Sequence, residues 1–482
     1  MALSYVLPRS TPEEQGIDSS KILSFLDSLD QHQIEFHSFM LLRNGTVAAE
    51  AWWSPYRKDL PHMLFSLSKS FTSTAIGLAV HEGLLTVEDP VIQYFPEQLP
   101  QNMDEKFKKL KVKHLLSMST GHKEEPSAVG RPDGNWAKAF FEAPLTYEPG
   151  THFLYNTLAT YMLSVIITRL TGKTTRDYLM PRLFEPLGIE RPSWATCPRG
   201  YSTGGFGLNL KTEDILKFGL LYLQKGMLNG HQIIPSAWVV EATKSQISNA
   251  ENSLPDWKQG YGYQFWRCQG NAYRGDGAFG QYCIVFPEKN AVIAITSAVK
   301  DMQAVMDLIH EHLVPAFGDE KLSPSSFYPI LHDRLGNLFL APPMKMKYSP
   351  LEQKLESGIL NLFDKNQSSY ERIFLRLKDD KLTITLDGDR GPDAVEAGKH
   401  IWLPSTTSLV DIPGEGNKTC PILSSFTWEQ EDLLLVTIRY IESPFCVTLR
   451  IGFNDEGLTL NGRINVSFGA EELFNLKAVT IK

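Results

Sequence analysis

The last third of the chain alternates apolar and polar residues over short segments that Asp and Gly turns separate. Clear examples are IFLRLKDDKLTITL at 373–386, LLLVTIRY at 433–440 and FCVTLRI at 445–451. A period of two residues is typical of strands with one buried face. The pattern therefore predicts an all-β domain over residues 345–482, folded as a barrel or a sandwich.

The earlier part of the chain has strands at both ends and helices between them. Asn44 and Gly45 separate two apolar runs in FMLLRNGTVAAEAWW and indicate a two-residue hairpin. Helical periodicity covers 67–82, 157–170 and 213–224, and each segment ends near a glycine. The strands QYCIVF and AVIAIT follow. This order predicts one α+β domain over residues 1–325, with its sheet closed by distant parts of the chain.

The overall charge and the cysteines exclude several classes of protein. A formal net charge of −8 and a pI near 5.9 argue against a nucleic-acid partner, which requires basic surface. The five cysteines are scattered without C-x-x-C spacing, which favours thiols in a reducing compartment. The N-terminal stretch lacks signal-peptide features, and no apolar run is long enough to span a membrane. We therefore expect a cytoplasmic protein without a membrane segment, and its oligomeric state stays open.

The stretch RGDGAFGQY at 274–282 contains G-x-G-x-x-G, formed by Gly275, Gly277 and Gly280. A dinucleotide-binding loop must open a helix, whereas these glycines run into the strand QYCIVF. A kinase loop joins strands, but no H-R-D or D-F-G motif follows. Two interpretations stay open: a bulge or corner of the sheet, or a strand that another backbone or a ligand approaches closely.

The segment FSLSKSF at 65–71 contains S-x-x-K as Ser66 and Lys69. Side chains three apart on a helix share one face, so the amine can reach the hydroxyl and act as its general base. The alternative is an N-cap serine beside a solvated lysine. A second match, Ser297 to Lys300, follows the strand AVIAIT. No H-E-x-x-H motif is present, and His310 with His312 is interpreted as a surface pair rather than a metal site.

Several longer segments together resemble the serine hydrolases related to class C β-lactamases and penicillin-binding proteins. The similarity begins with FSLSKSFTSTAIGLAVHEGLLTVEDPV and covers roughly residues 10 to 318. It continues through VKHLLSMSTGH, PGTHFLYNTLATYMLSVI, GGFGLNLKTEDILKFGLLYLQKGMLNGHQIIPSAW and GAFGQYCIVFPEKNAVIAIT. The resemblance implies a β-lactamase-like fold, in which helices and a helical subdomain flank an antiparallel sheet, with the all-β domain appended.

The resemblance also implies the catalytic residues. Ser66 corresponds to the acylated nucleophile, Lys69 to its partner, and Tyr155 to the tyrosine of the Y-x-N element, which shares the acid–base chemistry. A cationic Lys69 nearby would favour the phenolate of Tyr155. The backbone N–H groups of Ser66 and Ala278 would form the oxyanion hole. No metal or organic cofactor is implied.

Two departures from the family concern substrate binding. Gly275, Asp276 and Gly277 stand where the family has Lys-Thr-Gly or His-Thr-Gly, on a strand that binds substrate along its edge. Glycines fit such a strand because substrate passes close by. The basic residue is replaced by Gly275, and Arg274 would point to the other face. Thr157 stands where the family usually has Asn.

Both departures favour the esterase and amidase branch of the family. We expect a serine hydrolase that cleaves a small ester or amide through an acyl-enzyme on Ser66. The alternatives are a β-lactamase or D-Ala-D-Ala carboxypeptidase, and a catalytically idle binding protein with the same fold. Tyr263 and Trp266, in GYGYQFW, are candidates for the wall of the acyl pocket or for residues of a structural strand.

Overall fold

The structure, a computed structural model, describes residues 5–363, 370–410 and 418–480. Residues 1–4, which begin the predicted first domain and the stretch without signal-peptide features, lie outside the described residues. The chain divides into two compact units. The first comprises Met1–Ala51 and Pro61–Asn337, and the second comprises Trp52–Leu60 and Leu338–Lys482.

A six-stranded sheet in the order β2-β1-β11-β10-β9-β8 forms the centre of the first unit. The pairs β1–β11, β11–β10, β10–β9 and β9–β8 are antiparallel. The strands β1, β10 and β11 are buried along their whole length. The strands of this unit are β1 (Phe36–Arg43), β2 (Thr46–Trp52), β3 (His62–Met63), β4 (Ser193–Trp194), β5 (Leu208–Leu210), β6 (Met227–Leu228), β7 (His231–Gln232), β8 (Trp266–Arg267), β9 (Tyr273–Gly277), β10 (Gln281–Phe286) and β11 (Ala291–Ser297).

The helices of the first unit flank this sheet, and several are almost entirely apolar on their buried faces. A five-residue π-helical turn continues α6 over Met180–Phe184, and another continues α9 over Ile309–Leu313. The α-helices are α1 (Ser19–Gln31), α2 (Ser68–His81), α3 (Val112–Leu116), α4 (Trp136–Glu142), α5 (Thr157–Thr171), α6 (Thr175–Leu179), α7 (Thr212–Leu223), α8 (Ser236–Thr243), α9 (Met302–Leu308) and α10 (Tyr328–Gly336).

Local sequence signals account for several element ends. Asn44 (φ 51°) and Gly45 (φ 77°) form the predicted hairpin turn between β1 and β2, since both take positive φ angles. Asn156 caps α5 by accepting from the Ala159 N–H, and Gly172 ends it in the left-handed conformation. The predicted antiparallel sheet with helices between its strands is confirmed in this unit.

The second unit is a closed β-barrel, so the barrel and not the sandwich is the correct alternative. Its ten-stranded sheet has the order β15-β14-β13-β12-β21-β20-β19-β18-β17-β16, and a parallel β15–β17 pairing closes it. Among the described residues, nine of these strands form the barrel and β16 lies outside the closure. The elements are α11 (Glu352–Ser357), β12 (Ile359–Phe363), β13 (Tyr370–Lys378), β14 (Lys381–Gly388), β15 (Asp393–Lys399), β16 (Leu403–Thr407), β17 (Cys420–Gln430), β18 (Leu433–Tyr440), β19 (Cys446–Phe453), β20 (Gly457–Ile464) and β21 (Glu472–Thr480).

Alternating burial explains why the last third of the chain has its period of two. Along β14, Leu382, Ile384 and Leu386 are buried while the residues between them are partly exposed. Glu352 of α11 is a charged residue that is buried among the apolar side chains of this unit. Its carboxylate accepts a hydrogen bond from the Trp428 indole at 2.9 Å and pairs with Lys399. The carboxylate is tolerated in the interior because both partners bind it.

The segment Trp52–Leu60 packs with the barrel unit although it connects two strands of the first unit. Ser54 pairs with Phe339 and exchanges backbone hydrogen bonds with Leu338 and Leu340. The Tyr56 hydroxyl donates to the Ser443 carbonyl at 3.3 Å. The partners of this segment lie hundreds of residues away along the chain, so no local sequence pattern could identify it.

None of the five cysteines, all of which lie in the described residues, forms a disulfide, and four of them are buried. Among the described residues, no helix combines the length and the apolar character that crossing a membrane requires. Within the same residues, no three His, Cys, Asp or Glu side chains are grouped as metal ligands. His310 contacts Asp256 at 3.1 Å and His312 contacts Ser28 at 2.9 Å, so the two histidines have separate partners.

Gly77 lies inside α2 directly against Trp238, and it generates the first prediction. A Cβ added at Gly77 would lie 2.3 Å from the Trp238 ring. We expect Gly77→Ala to lower the free energy of unfolding by about 1–3 kcal/mol, because overpacking outweighs the gain in helix propensity of about 1 kcal/mol. Urea denaturation measures the change. Gly336→Ala is the control, because its Cβ would meet no atom within 4 Å; equal stability of both variants would contradict the prediction.

Candidate active site

Ser66 lies in the 3₁₀ turn Phe65–Leu67, which leads directly into α2. Phe65 has a φ of 47°, which is rare for an aromatic residue and concentrates backbone strain beside the serine. The Ser68 hydroxyl secures this turn by donating to the Phe65 carbonyl at 2.6 Å, and the Leu208 N–H donates to Ser68 in turn. Ser66 is half-buried and does not cap α2, so the alternative of an N-cap serine is wrong.

Lys69 lies in the first turn of α2, and its side chain is only 1% exposed. Its Nζ lies 2.9 Å from Ser66 Oγ and donates to the Gly205 carbonyl at 2.9 Å and to Thr157 Oγ1 at 3.4 Å. Burial lowers the pKa of Lys69 to about 7, while the negative charges of Glu125 and Asp276 act in the opposite direction. Near neutral pH, a large part of the amine is therefore the free base and can accept the Ser66 proton.

Tyr155 immediately precedes the N-cap of α5 and is half-buried beside Lys69. Lys69 Nζ lies 4.8 Å from the centre of its ring. The pKa of Tyr155 is raised well above its usual value, mainly by burial and then by the charge of Asp276, whereas its hydrogen bond with Ser66 acts to lower it. The expectation of a phenolate is therefore wrong, because burial and the charge of Asp276 raise the pKa of Tyr155. Tyr155 is a phenol that can donate a proton.

Strand β9 packs against the segment that carries Ser66, and its glycines make this approach possible. A Cβ on Gly277 would lie 2.0 Å from the Leu64 carbonyl oxygen. A Cβ on Gly275 would lie 2.5 Å from both Leu67 Cδ1 and Ser70 Oγ. The family resemblance attributes these glycines to the passage of substrate. The contacts give a different reason, because the neighbouring backbone and α2 fill the space that side chains would need.

Ala278 follows β9 and is half-buried. Its carbonyl accepts from Gln281 Nε2 at 3.1 Å, and the same nitrogen donates to the Ser297 carbonyl at 2.9 Å. Phe279 has a φ of 63°. Its ring packs edge-on against the ring of Phe65, with 5.4 Å between the ring centres. The turn after β9 is thus fixed next to the strained turn that holds Ser66.

Asp276 is buried in an ion pair with Arg274, whose Nε lies 2.9 Å from the carboxylate. The guanidinium is fully buried, lies 4.0 Å from the Trp257 ring centre and donates to the Asp256 carbonyl at 2.7 Å. Arg274 and Gly275 face opposite sides of β9, as expected. Burial raises the pKa of Asp276, while Arg274, a hydrogen bond from Trp266 and Lys69 oppose this rise. The positive charge of this strand is therefore neutralised within the protein.

The two aromatic candidates have different surroundings. Trp266 stacks on Tyr155, with ring centres 5.3 Å apart and an interplanar angle of 17°. Tyr263 instead packs against Trp238 at 5.7 Å. Of these two residues, Trp266 is the one that contacts a candidate catalytic residue. The ring centre of Phe153 lies 5.7 Å from that of Trp266.

The second S-x-x-K match has a structural role. Ser297 is completely buried and its hydroxyl donates to the carbonyls of Phe279 and Gly280. Lys300 is exposed. This serine therefore stabilises the turn after β9.

Two further residues, Gly205 and Glu125, contact the predicted group. Gly205 supplies a carbonyl to Lys69, and a Cβ there would lie 2.6 Å from Thr157 Cγ2. Glu125 accepts the Thr157 N–H at 2.6 Å. A backbone carbonyl leaves no side-chain signal, although Gly204-Gly205 is a visible glycine pair. Glu125 lies in a loop without any pattern, so the sequence alone gives no means of finding it.

Comparisons with known proteins identify the family of the first unit. A family model described as beta-lactamase matches residues 24–313. A 6-aminohexanoate-dimer hydrolase of Paenarthrobacter ureafaciens is 25% identical over 315 residues, which cover 61% of this chain and 80% of that protein.

Two solved structures share the fold. The octameric penicillin-binding protein homologue from Pyrococcus abyssi has a TM-score of 0.51 and 16% identity, covering 95% of this chain and 100% of that chain. EstCE1, a hydrolase with promiscuous acyltransferase activity, has a TM-score of 0.51 and 16% identity, covering 61% of this chain and 99% of that chain. The predicted fold class, a β-lactamase-like unit followed by an all-β domain, is confirmed.

The burial of Lys69 generates a direct titration test. In a protein with isotope-labelled lysines, we expect one side-chain NMR resonance that titrates near pH 7 and is absent from Lys69→Met. Lys300→Met is the matched control and should retain it, because Lys300 is exposed. A Lys69 resonance that stays cationic up to about pH 10, the ordinary range of lysine, would contradict the prediction.

Gly277 generates a second test of the site. The Cβ of Gly277→Ala would clash with the Leu64 carbonyl, so β9 must move away from the turn that holds Ser66. Since displacements of about 1 Å cost roughly a hundredfold in reactivity, we expect Ser66 to react about a hundred times more slowly with a fluorophosphonate. Intact-protein mass against time measures this rate in variant protein with native circular dichroism. An unchanged rate would show that the contact between β9 and the turn is dispensable.

Proposed function

Since this chain belongs to the beta-lactamase family, we propose that it is a serine hydrolase that cleaves a small ester or amide through an acyl-enzyme on Ser66. The observation that carries the proposal is the 2.9 Å contact between Ser66 Oγ and Lys69 Nζ. A serine hydroxyl needs a base to become a nucleophile, and burial gives Lys69 a pKa of about 7.

In the proposed acylation step, Ser66 Oγ forms a bond to the substrate carbonyl carbon while its proton passes to Lys69 Nζ. The carbonyl oxygen becomes an oxyanion, which the N–H groups of Ser66 and Ala278 bind. Each such donor stabilises the transition state by about 3 kcal/mol. The Phe65 turn and β9, held together at Gly277, support this pairing of donors.

The tetrahedral intermediate then collapses, and the bond to the leaving alcohol or amine breaks. Tyr155 donates a proton to the leaving group, which suits a phenol whose pKa is raised by burial. The proton on Lys69 restores Tyr155. In deacylation, water adds to the acyl carbon, its proton is removed by the same pair, and Ser66 Oγ leaves as the hydroxyl.

The charges of the site favour the esterase and amidase chemistry over the β-lactamase and carboxypeptidase alternative. Substrates of the latter enzymes carry a carboxylate that a cation of the third motif ordinarily receives. Here Gly275 carries no charge, and Arg274 is buried in its pair with Asp276. The relative named 6-aminohexanoate-dimer hydrolase supports a small amide as a substrate, and EstCE1, named as a hydrolase with acyltransferase activity, supports acyl transfer. An idle binding protein is disfavoured because Ser66, Lys69 and Tyr155 remain in contact.

The proposal predicts a single covalent adduct. Incubation with a fluorophosphonate should add one phosphonyl group to the wild-type protein and none to Ser66→Ala, as measured by intact-protein mass. For p-nitrophenyl acetate, kcat/KM should rise with pH through about 7, because the acidic form of Lys69 cannot accept the serine proton. Lys69→Met should lower kcat/KM by about 10²–10⁴.

Matched variants and a second substrate complete this experiment. Lys300→Met, in the structural S-x-x-K match, should keep wild-type kcat/KM. Nitrocefin should be turned over far more slowly than the acetate ester, because its carboxylate finds no free cation on β9. A folded wild-type protein that forms no adduct and leaves the ester intact would disprove the proposed function and favour the binding protein.

A further inference from the structure

Glu125 is an exposed carboxylate that is tied to the catalytic group from a different segment of the chain. It lies in the irregular stretch before α4, and its Oε1 accepts the Thr157 N–H at 2.6 Å. Thr157 is the first residue of α5, and its hydroxyl accepts from Lys69 at 3.4 Å. Glu125, Thr157 and Lys69 therefore form a continuous chain of contacts from solvent to the base.

Two carboxylates, Glu125 and Asp276, act on the charge of Lys69. Glu125 exerts the largest charge effect on Lys69, Asp276 of β9 exerts the next, and both negative charges also raise the pKa of Tyr155. Arg274 offsets Asp276 through their ion pair. The segment around Gly205 contributes only a carbonyl, and within α2 the residues after Lys69 are uncharged as far as His81. Glu125 is thus the charge near Lys69 that has no cationic partner in contact among the described residues and faces solvent.

We infer that Glu125 is a positioning and specificity-determining residue. It fixes the positions of Thr157 and Lys69, and its charge favours substrates without a negative charge beside the scissile bond. The inference rests on the proposed function. A carboxylate at the solvent side of the site repels an anion and attracts a cation, and this preference adds to the loss of the basic residue at Gly275.

Glu125→Gln isolates the charge, because the amide oxygen can still accept the Thr157 N–H. Glu124→Gln is the matched control: it removes one carboxylate from the adjacent exposed position, which makes no contact with Thr157 among the described residues. The probes are three aryl acetates that share one acyl group, namely meta-acetoxybenzoate, meta-acetoxybenzamide and meta-(trimethylammonio)phenyl acetate. Their intrinsic reactivities cancel when each variant is compared with wild type.

We expect the ratio of kcat/KM for the cationic ester to that for the anionic ester to fall about two- to fivefold in Glu125→Gln, the range typical of an exposed charge. The difference should disappear in about 1 M salt, where the screening length is roughly 3 Å. The acid limb of the pH profile for the neutral ester should move to lower pH, because a negative charge that raises the pKa of Lys69 is gone. Glu124→Gln should match wild type in both measurements.

The possible outcomes distinguish a failure of this inference from a failure of the proposed function. If Glu125→Gln turns over the esters with an unchanged charge preference, or with an unchanged acid limb, the inference is wrong while the serine hydrolase stands. If Glu124→Gln shifts both quantities as much as Glu125→Gln, the effect belongs to the net charge of the loop and the inference is also wrong. If wild-type protein neither turns over the neutral ester nor forms the fluorophosphonate adduct, the proposed function fails.

Discussion

The burial of a single amine determines how this site is built. Lys69 lies almost entirely out of water, where an ammonium group is expensive unless oxygen atoms replace its hydration. Three oxygens do so, from Ser66, Thr157 and Gly205. These residues belong to the turn before α2, the start of α5 and an irregular segment before β5. The amine can be satisfied only when these three segments converge, so the fold and the chemistry depend on the same contacts.

The close approach of backbone segments is the second constraint, and glycine provides it. Gly205 lies against Thr157, Gly275 against α2, and Gly277 against the Leu64 carbonyl. In the sequence, the glycines of RGDGAFGQY resemble a phosphate-binding loop or a strand that accommodates a ligand. Their physical cause is the packing of β9 on α2 and on the turn that contains Ser66. A pattern of glycines indicates that something passes close by, but only the three-dimensional contacts identify it as the protein's own backbone.

Features that depend on neighbouring residues could be predicted from the sequence, and features that depend on distant ones could not. The hairpin at Asn44 and Gly45 and the barrel strands follow from local turn chemistry and from alternation. The contact between Ser66 and Lys69 follows from helical spacing. The prediction of a phenolate at Tyr155 is wrong, because the pKa of Tyr155 depends on burial and on Asp276, which lies far along the chain. The roles of Glu125 and of the segment Trp52–Leu60 depend on partners far along the chain.

The ion pair of Arg274 and Asp276 helps to keep the structure of β9 although Gly275 replaces the basic residue of the third motif. A buried ion pair costs desolvation energy, which its attraction offsets only with good geometry and further partners. Arg274 has these in the Trp257 ring and the Asp256 carbonyl, and Asp276 has the hydrogen bond from Trp266. Trp266 in turn stacks on Tyr155. The charged pair of β9 therefore supports the position of Tyr155 through Trp266. Removing either partner would leave the other charge buried without its counter-charge, so this arrangement is stable only as a pair.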